Sequence, residues 1–319
     1  MNRPSARRVP PPSAAPPACT GTPLPGAQLP DTPLPGTPRP GAQLPDTLRP
    51  PLARALPATR TLARALHAEW TKLRTAGGTW TALLALVLAT AGLGAAAAAG
   101  VSCPAAGCGE DATRLALTGV TLGQAVVVVL AAAAVGGEYG TGMIRTTLAA
   151  VPGRGAACTA KAAALTGAVL LASTAAVLGS LLAGRLILPG SGFTPAHGYP
   201  PLSLGDGPTL RAAVGSVLYL ALVALLTVGV ATAVREPAAA AGVVLGLLYL
   251  FPLLTRVVAD PDWQRRLQQV APMPAGLAVQ ATTGLDRLPV PPWTGLAVLA
   301  GWSAGALLLG AALLRRRDA

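Results

Sequence analysis

Charged residues are scarce in this 319-residue chain. Asp, Glu, Lys and Arg together make up 11% of it, whereas a soluble domain carries about 25%. Aromatic residues reach only 3%, so the 52% of hydrophobic residues is mostly Ala, Leu and Val. The mean hydropathy is +0.55. This composition argues against a single water-soluble domain and indicates a protein that lies in the lipid bilayer.

Motifs for catalysis and cofactor binding are also missing. No GxxxxGK[ST] phosphate loop occurs, so the chain lacks the usual means of binding ATP. The two histidines, His67 and His197, stand far apart, and no HExxH, CxxC or GxSxG pattern is present. We therefore expect no enzymatic activity, no cofactor and no metal. The net charge of +12 does not predict nucleic-acid binding, because many basic residues flank apolar runs instead of forming a basic polar domain.

Proline is concentrated at the N-terminus. Residues 1–57 hold 17 of the 32 prolines, and the octapeptide PGAQLPDT occurs twice there, at 25–32 and 40–47. Such a segment has few backbone donors and no apolar periodicity, so we predict a disordered tail over 1–57. A recognition arm for a Pro-binding domain and an overextended gene start are the alternatives. Residues 58–319 are then the membrane domain.

Residues 59–75 have the pattern of a basic amphipathic helix, suited to the cytoplasmic headgroup layer. Its apolar stripe includes Leu66 and Trp70, and Lys72 and Arg74 follow near its end. Glu69 lies inside the stripe, where a lone carboxylate needs a cationic partner or a solvated pocket. Arg145 is the nearest candidate partner by topology.

Six apolar runs are long enough to cross about 30 Å of hydrocarbon. We therefore predict an all-α integral membrane protein with six transmembrane helices, preceded by the amphipathic helix and the tail. Pro252 should kink the fifth span, and the short link 235–236 predicts a tight hairpin between the fourth and fifth. The predicted spans are Trp80–Gly100, Leu115–Gly136, Ala162–Leu182, Ala212–Val234, Ala238–Val258 and Trp293–Leu314.

The distribution of basic residues predicts the orientation. With the tail left out, the side that carries both termini has 11 Arg and Lys residues, against 7 on the other side. Positive charge favours the cytoplasm, so we expect a multi-pass plasma-membrane protein with both termini cytoplasmic. The outside loop 256–292 is unusually basic and has helical spacing, which predicts short interfacial helices on the outer face.

Several smaller features leave alternatives open. Cys103 and Cys108 lie close together in a predicted outside loop, where they form either a disulfide or two free thiols. Gln124 is the most polar side chain inside a span. It is either an interhelical hydrogen-bond partner or a residue that contacts the substrate in the transport pathway. GxxxG occurs at 119/123, 242/246 and 301/305, where close helix contact competes with chance recurrence in a chain of 37 glycines.

Two motifs lie on the predicted cytoplasmic side. One is the string Glu69-Trp70-Thr71-Lys72-Leu73-Arg74 with the following Thr79-Trp80. The other is the stretch 137–148, GEYGTGMIRTTL, with Pro152 and Arg154 after it. Together they resemble motifs of the permease subunits of type-2 ABC exporters from high-GC bacteria. The likeness covers residues 60–319, and the proline in the fifth span and Pro272 fit it as well. The Pro-rich tail is not a feature of that family.

The resemblance implies a permease that forms a homo- or heterodimer in the bilayer and couples to a separate ABC ATPase subunit. It places the contact with the ATPase at the entry helix and at the segment Glu138–Leu148. In that segment Glu138 and Arg145 are the candidate charge contacts, and Tyr139 and Met143 a candidate apolar knob. A solvated loop is the alternative for this segment. The rival functions are a non-transporting scaffold or sensor subunit and a secondary carrier.

Reporter fusions test the orientation. Fusions after residues 110, 145, 200, 270 and 319 should report outside, inside, outside, outside and inside, because six spans return the chain to the side where it started. A C-terminal reporter that is active outside would contradict this topology.

Overall fold

Helices form all of the regular secondary structure in the part of the chain that the computed structural model describes, residues 51–103, 108–140, 154–257 and 260–316. These residues belong to one structural unit, Pro50–Ala319. Six of the described helices are long and apolar enough to cross a membrane. The predicted all-α membrane fold is therefore confirmed.

The entry helix and the first span are separated by a single residue. Helix α1 covers Pro51–Thr75 and α2, the first span, covers Gly77–Gly100, with Ala76 extended between them. Helix α1 thus begins seven residues before the predicted domain start at 58. Proline is favoured in the first turn of a helix, and the Leu and Ala residues after Pro51 are good helix formers.

The remaining elements follow in chain order. The second span comprises α3 and α4, the third lies in α5 and the turn after it, and α6, α7 and α10 contain the last three. Helix α5 extends beyond the predicted third span at both ends. The elements are α3 Ala112–Ala116, a 3-10 turn Leu117–Gly119, α4 Val120–Gly140, α5 Arg154–Ile187, 3-10 turns Leu188–Ser191 and Pro195–His197, α6 Gly207–Val234, α7 Pro237–Val257, α8 Pro261–Val270, α9 Pro272–Leu277, 3-10 turns Ala278–Gln280 and Leu285–Arg287, and α10 Pro292–Arg316.

Helix α6 lies at the centre of the bundle. It packs against α4, α5, α7 and α10. In its most apolar stretch 61% of the residues are buried, whereas the figure for α7 is 17%. Helix α7 is therefore a peripheral helix that leaves most of its surface to lipid or to another subunit.

The link between α6 and α7 is a tight turn, as the sequence predicts. Arg235 adopts a left-handed conformation with φ of 66° and ends α6. The Glu236 carboxylate accepts hydrogen bonds from the backbone N–H groups of Ala238 and Ala239. A negative charge at the first turn of a helix is favourable, so Glu236 stabilises the start of α7.

The loop between α7 and α10 differs from the prediction of interfacial helices. Helix α8 does lie at the surface, with Trp263 58% exposed. Helix α9 and the following 3-10 turn instead enter the bundle, where Ala275, Gly276 and Val279 are buried. Their small side chains allow this: a Cβ on Gly276 would lie 2.6 Å from the ring of Tyr219. The Arg211 guanidinium holds the end of this segment by donating to the Ala281 carbonyl at 2.6 Å.

One of the three GxxxG motifs is a helix contact within the described chain. A Cβ on Gly119 would lie 1.8 Å from the carbonyl oxygen of Thr90 in α2, and one on Gly123 would lie 2.3 Å from the Thr90 hydroxyl. At 242/246 and 301/305 a Cβ would meet nothing within 4 Å. The first motif therefore allows α2 and α4 to pack closely. Within the described residues of one chain, the other two motifs contact no neighbouring helix.

Replacing Gly119 should destabilise the fold. In Gly119→Ala the new methyl group overlaps a backbone carbonyl, and overpacking of this kind costs about 1–3 kcal/mol or more. We expect a lower Tm for the detergent-purified protein. Gly242→Ala, in a motif of the same type but in open space, is the matched control and should not lower Tm, because the methyl group meets no neighbour and Ala favours the helix. Equal Tm values for the two variants would contradict the contact.

Candidate functional site

The buried carboxylate of Glu69 is the centre of the candidate site. Helix α1 packs on α5 with Ala65 and Glu69 turned inward, and Glu69 is only 6% exposed. Leu66 and Trp70 remain 40% and 36% exposed. The predicted apolar stripe is therefore divided. Part of it faces away from the protein, as an interfacial helix requires, and Glu69 faces the bundle.

Two ammonium groups neutralise this carboxylate. Nζ of Lys72, one turn further along α1, lies 2.7 Å from Oε1 of Glu69. Nζ of Lys161 in α5 lies 3.2 Å from Oε2 and also donates to the Ala134 carbonyl of α4 at 3.4 Å. The prediction that Glu69 has a cationic partner is confirmed. The described partners are these two lysines, while Arg145, the residue predicted for this role, lies outside the described residues.

The ion pair with Lys161 connects separate helices. It joins α1 to α5, and the bond to Ala134 brings in α4 as well. A cavity of about 330 Å³ adjoins these three groups. A buried ion pair stabilises a structure little compared with apolar packing, but loss of one partner leaves an uncompensated buried charge. The cluster therefore specifies where α1 sits on the bundle more than it adds to overall stability.

The junction after the cluster is held by a tryptophan. The indole Nε1 of Trp80, in α2, donates to the Arg74 carbonyl at the end of α1 at 3.0 Å. Arg74 itself is exposed. The predicted residues of the interfacial helix thus have different roles: Glu69 and Lys72 join the cluster, and Trp70 and Arg74 face outward.

The predicted coupling residues are described only in part. Glu138 and Tyr139 belong to the last turn of α4, and their side chains, like Met143 and Arg145 as a whole, lie outside the described residues. The residues just before this segment have a defined neighbour. A Cβ on Gly136 would lie 2.7 Å from Pro237, so α4 ends against the turn between α6 and α7. Its end therefore lies on the same side of the bundle as the Glu69 cluster, which we call the α1 end.

Gln124 is fully buried between helices. Its Oε1 accepts a hydrogen bond from the Tyr219 hydroxyl of α6, and its Nε2 lies 3.3 Å from the Met273 sulfur of α9. This is the interhelical hydrogen bond that the sequence left as one alternative. The other alternative, contact with a transported substrate, stays a prediction.

The end of the bundle opposite α1, the distal end, is held by covalent and polar contacts. Cys103 and Cys108 form a disulfide, with Cα atoms 5.8 Å apart. The Asp111 carboxylate caps α3 by accepting from the Arg114 N–H at 3.0 Å, and it also accepts from the Thr282 hydroxyl at 2.7 Å. Backbone N–H groups of Thr282 and Thr283 donate to it as well. Asp111 thus ties the segment after α9 to the start of the second span.

Sequence reasoning missed Lys161 and Asp111. Lys161 is one of only two lysines beside 22 arginines, and this rarity was the available signal. Asp111 stands just before an apolar run, as a helix cap does. Within the described residues, no group of three or more His, Cys, Asp or Glu side chains is placed to hold a metal.

The sequence matches no family model and no curated protein. The described residues form a six-span membrane protein with a buried ion cluster under its entry helix.

The contact between Glu69 and Lys161 is testable by mutation. Glu69→Gln leaves two ammonium groups without their carboxylate, and Lys161→Met removes the link between helices. Each should lower the Tm of the purified protein. Glu69→Gln should cost about 3 kcal/mol, as loss of one partner of a buried pair does, and Lys161→Met should cost less, because Lys72 still pairs with Glu69. The double variant should lose clearly less than the sum, since no charge of that pair is then left buried alone.

Asp286→Asn, which removes an exposed acid at the distal end outside both cavities, is the control and should leave Tm unchanged. Additive effects of Glu69→Gln and Lys161→Met would show that the two side chains do not interact.

Proposed function

We propose that the chain is the permease subunit of an ABC-type exporter and that a separate ATPase subunit supplies the energy. The six spans support a pathway through the membrane, and the two motifs at 69–80 and 137–148 support the family. The permease acts as a dimer. Its own residues carry out no bond chemistry, and it moves substrate by changing the arrangement of its helices.

The observation that carries the proposal is the joint at the α1 end. In the sequence, residues 138–148 stand between the end of α4 and the start of α5, and the Lys161 side chain bonds both to α4, at Ala134, and to α1, at Glu69. A displacement of that segment by a partner therefore acts on two spans and on the entry helix together. A coupling element needs a connection of this kind, because a loop that moves alone transmits no work to the spans.

The exposed surface of α7 fits a subunit that pairs. This helix is the least buried of the six spans. Large apolar side chains of α7, among them Leu250 and Leu253, lie on the surface. In a monomer such a surface contacts lipid. In the proposed dimer it supplies apolar area for the second permease subunit, and Pro252 inside α7 offers a point where the two halves of the helix can change angle.

The rival functions have less support in the described residues. A proton-coupled carrier uses buried carboxylates in its spans, whereas the one buried acid among the described residues is Glu69, on α1 and paired with lysines. A scaffold or sensor subunit needs no joint between a loop, two spans and an entry helix.

Charge reversal in the loop tests the proposal. Glu138→Arg combined with Arg145→Glu should detach or uncouple the ATPase subunit while the permease remains inserted, because neither side chain belongs to a span core. The measurement is co-purification of the ATPase encoded beside this chain, together with the stimulation of its ATP hydrolysis. We expect both to fall at least about tenfold, which corresponds to about 1.4 kcal/mol of lost contact energy.

The matched control reverses two exposed charges at the distal end, Asp286→Arg with Arg265→Glu. It leaves the net charge unchanged, as the test pair does, and should affect neither readout. Retention of both binding and stimulation after reversal of Glu138 and Arg145 would show that the coupling assignment is wrong.

A further inference from the structure

A second cavity, of about 760 Å³, opens at the distal end. It lies between the start of the second span, α7 at Pro252 and the segment that α9 brings into the bundle. Its deeper wall is apolar and includes Leu115, Pro252 and Leu277. Cavities of about 300–1,000 Å³ hold ligands of the size of a drug molecule. This one is therefore large enough for a headgroup and the first part of an acyl chain.

The rim of this cavity carries two cations. Arg114 and Arg287 both line it and both are exposed. In the described part of the chain neither guanidinium donates to a protein acceptor. Of the two acids in the lining, Asp111 is occupied by the four N–H and O–H donors that bind it, and Glu110 stands exposed at the rim. The rim thus offers two uncommitted guanidinium groups and one uncommitted carboxylate.

The apolar wall adjoins the lipid-covered surface. Pro252 belongs to α7, and its neighbour Leu253 is exposed on the outside of the bundle. A molecule in the cavity can therefore place its polar part at the rim and its apolar part along α7 without leaving the membrane interface. A water-soluble anion would use the rim and leave the apolar wall empty.

We propose that this cavity binds one anionic phospholipid, with the phosphate between Arg114 and Arg287 and an acyl chain along Leu115, Pro252 and Leu277. Guanidinium groups pair with phosphate in bidentate geometry, which suits a rim with two of them. The bound lipid fills the space between α7 and the inserted segment, where the described side chains leave a gap. The proposal does not depend on a role in transport, because binding can be measured without any ATPase.

The test titrates the full chain, purified in detergent, with phosphatidylglycerol and with phosphatidylcholine of the same acyl chains. Native mass spectrometry counts the bound lipids. We expect one tightly retained phosphatidylglycerol and at least about tenfold weaker binding of phosphatidylcholine. Arg114→Gln with Arg287→Gln should weaken phosphatidylglycerol binding by about tenfold or more, since the phosphate then loses both of its guanidinium partners.

Three further variants separate the parts of the site. Glu110→Gln should strengthen phosphatidylglycerol binding, because it removes the carboxylate that opposes the phosphate. Ala278→Phe fills the cavity without changing its charge and should weaken the binding of both lipids. Arg265→Gln with Arg266→Gln removes the same charge from the same end of the protein, outside the cavity lining, and should change nothing.

Three results would overturn the proposal. The first is equal affinity of the wild type for the two lipids. The second is unchanged phosphatidylglycerol binding in the variant without Arg114 and Arg287. The third is displacement of phosphatidylglycerol by an equal concentration of glycerol phosphate, which would assign the rim to a small soluble anion. Each variant is compared at a Tm equal to that of the wild type, so that a loss of lipid binding does not reflect a loss of folded protein.

Discussion

Helices in hydrocarbon gain nothing from burying leucine against leucine, because the lipid tails are equally apolar, so their association depends on close packing and on a few internal polar contacts. In this chain the closest approaches use glycine. Gly119 meets the Thr90 carbonyl, Gly229 meets the backbone at Ala306, and Gly276 meets the ring of Tyr219. These contacts set α2 on α4, α10 on α6, and the inserted α9 on α6. The central position of α6 and the entry of α9 into the bundle both depend on them.

Polar side chains then fix how the packed helices are rotated. The Ser180 hydroxyl donates to the Thr90 carbonyl at 3.0 Å, at the point that Gly119 also approaches, and the Ser303 hydroxyl donates to the Leu222 carbonyl at 2.9 Å. Gln124 meets Tyr219 in the same way. Each of these bonds exists at one rotation of its helix, because an unpaired polar group in hydrocarbon is costly. Glycine thus determines which helices touch, and a small number of hydrogen bonds determines which faces do.

The sequence was sufficient for the parts of the fold that depend on local pattern. Run length located five of the six spans to within five residues at each end, while the third span ends nine residues later than predicted. The Arg235–Pro237 string predicted the hairpin. Long-range placement was not predictable. The loop after α7 has helical spacing, but nothing local tells that the small residues Ala275 and Gly276 fit against Tyr219, about 55 residues earlier in the chain. For the same reason Glu69 was recognised as needing a cation, while the identity of that cation depended on how α5 lies beside α1.

The choice of lysine at the cluster follows from the chemistry of the two basic side chains. The chain has 22 arginines and two lysines, and both lysines contact Glu69. Arginine presents a planar fork that prefers to take both oxygens of one carboxylate. Two such forks compete for the same pair of oxygens, whereas two compact ammonium groups can take one oxygen each, as they do here. Lys161 has a further donor, which it gives to the Ala134 carbonyl. In a chain whose composition otherwise favours arginine, the joint between α1, α4 and α5 thus uses two ammonium groups, each of which takes one carboxylate oxygen.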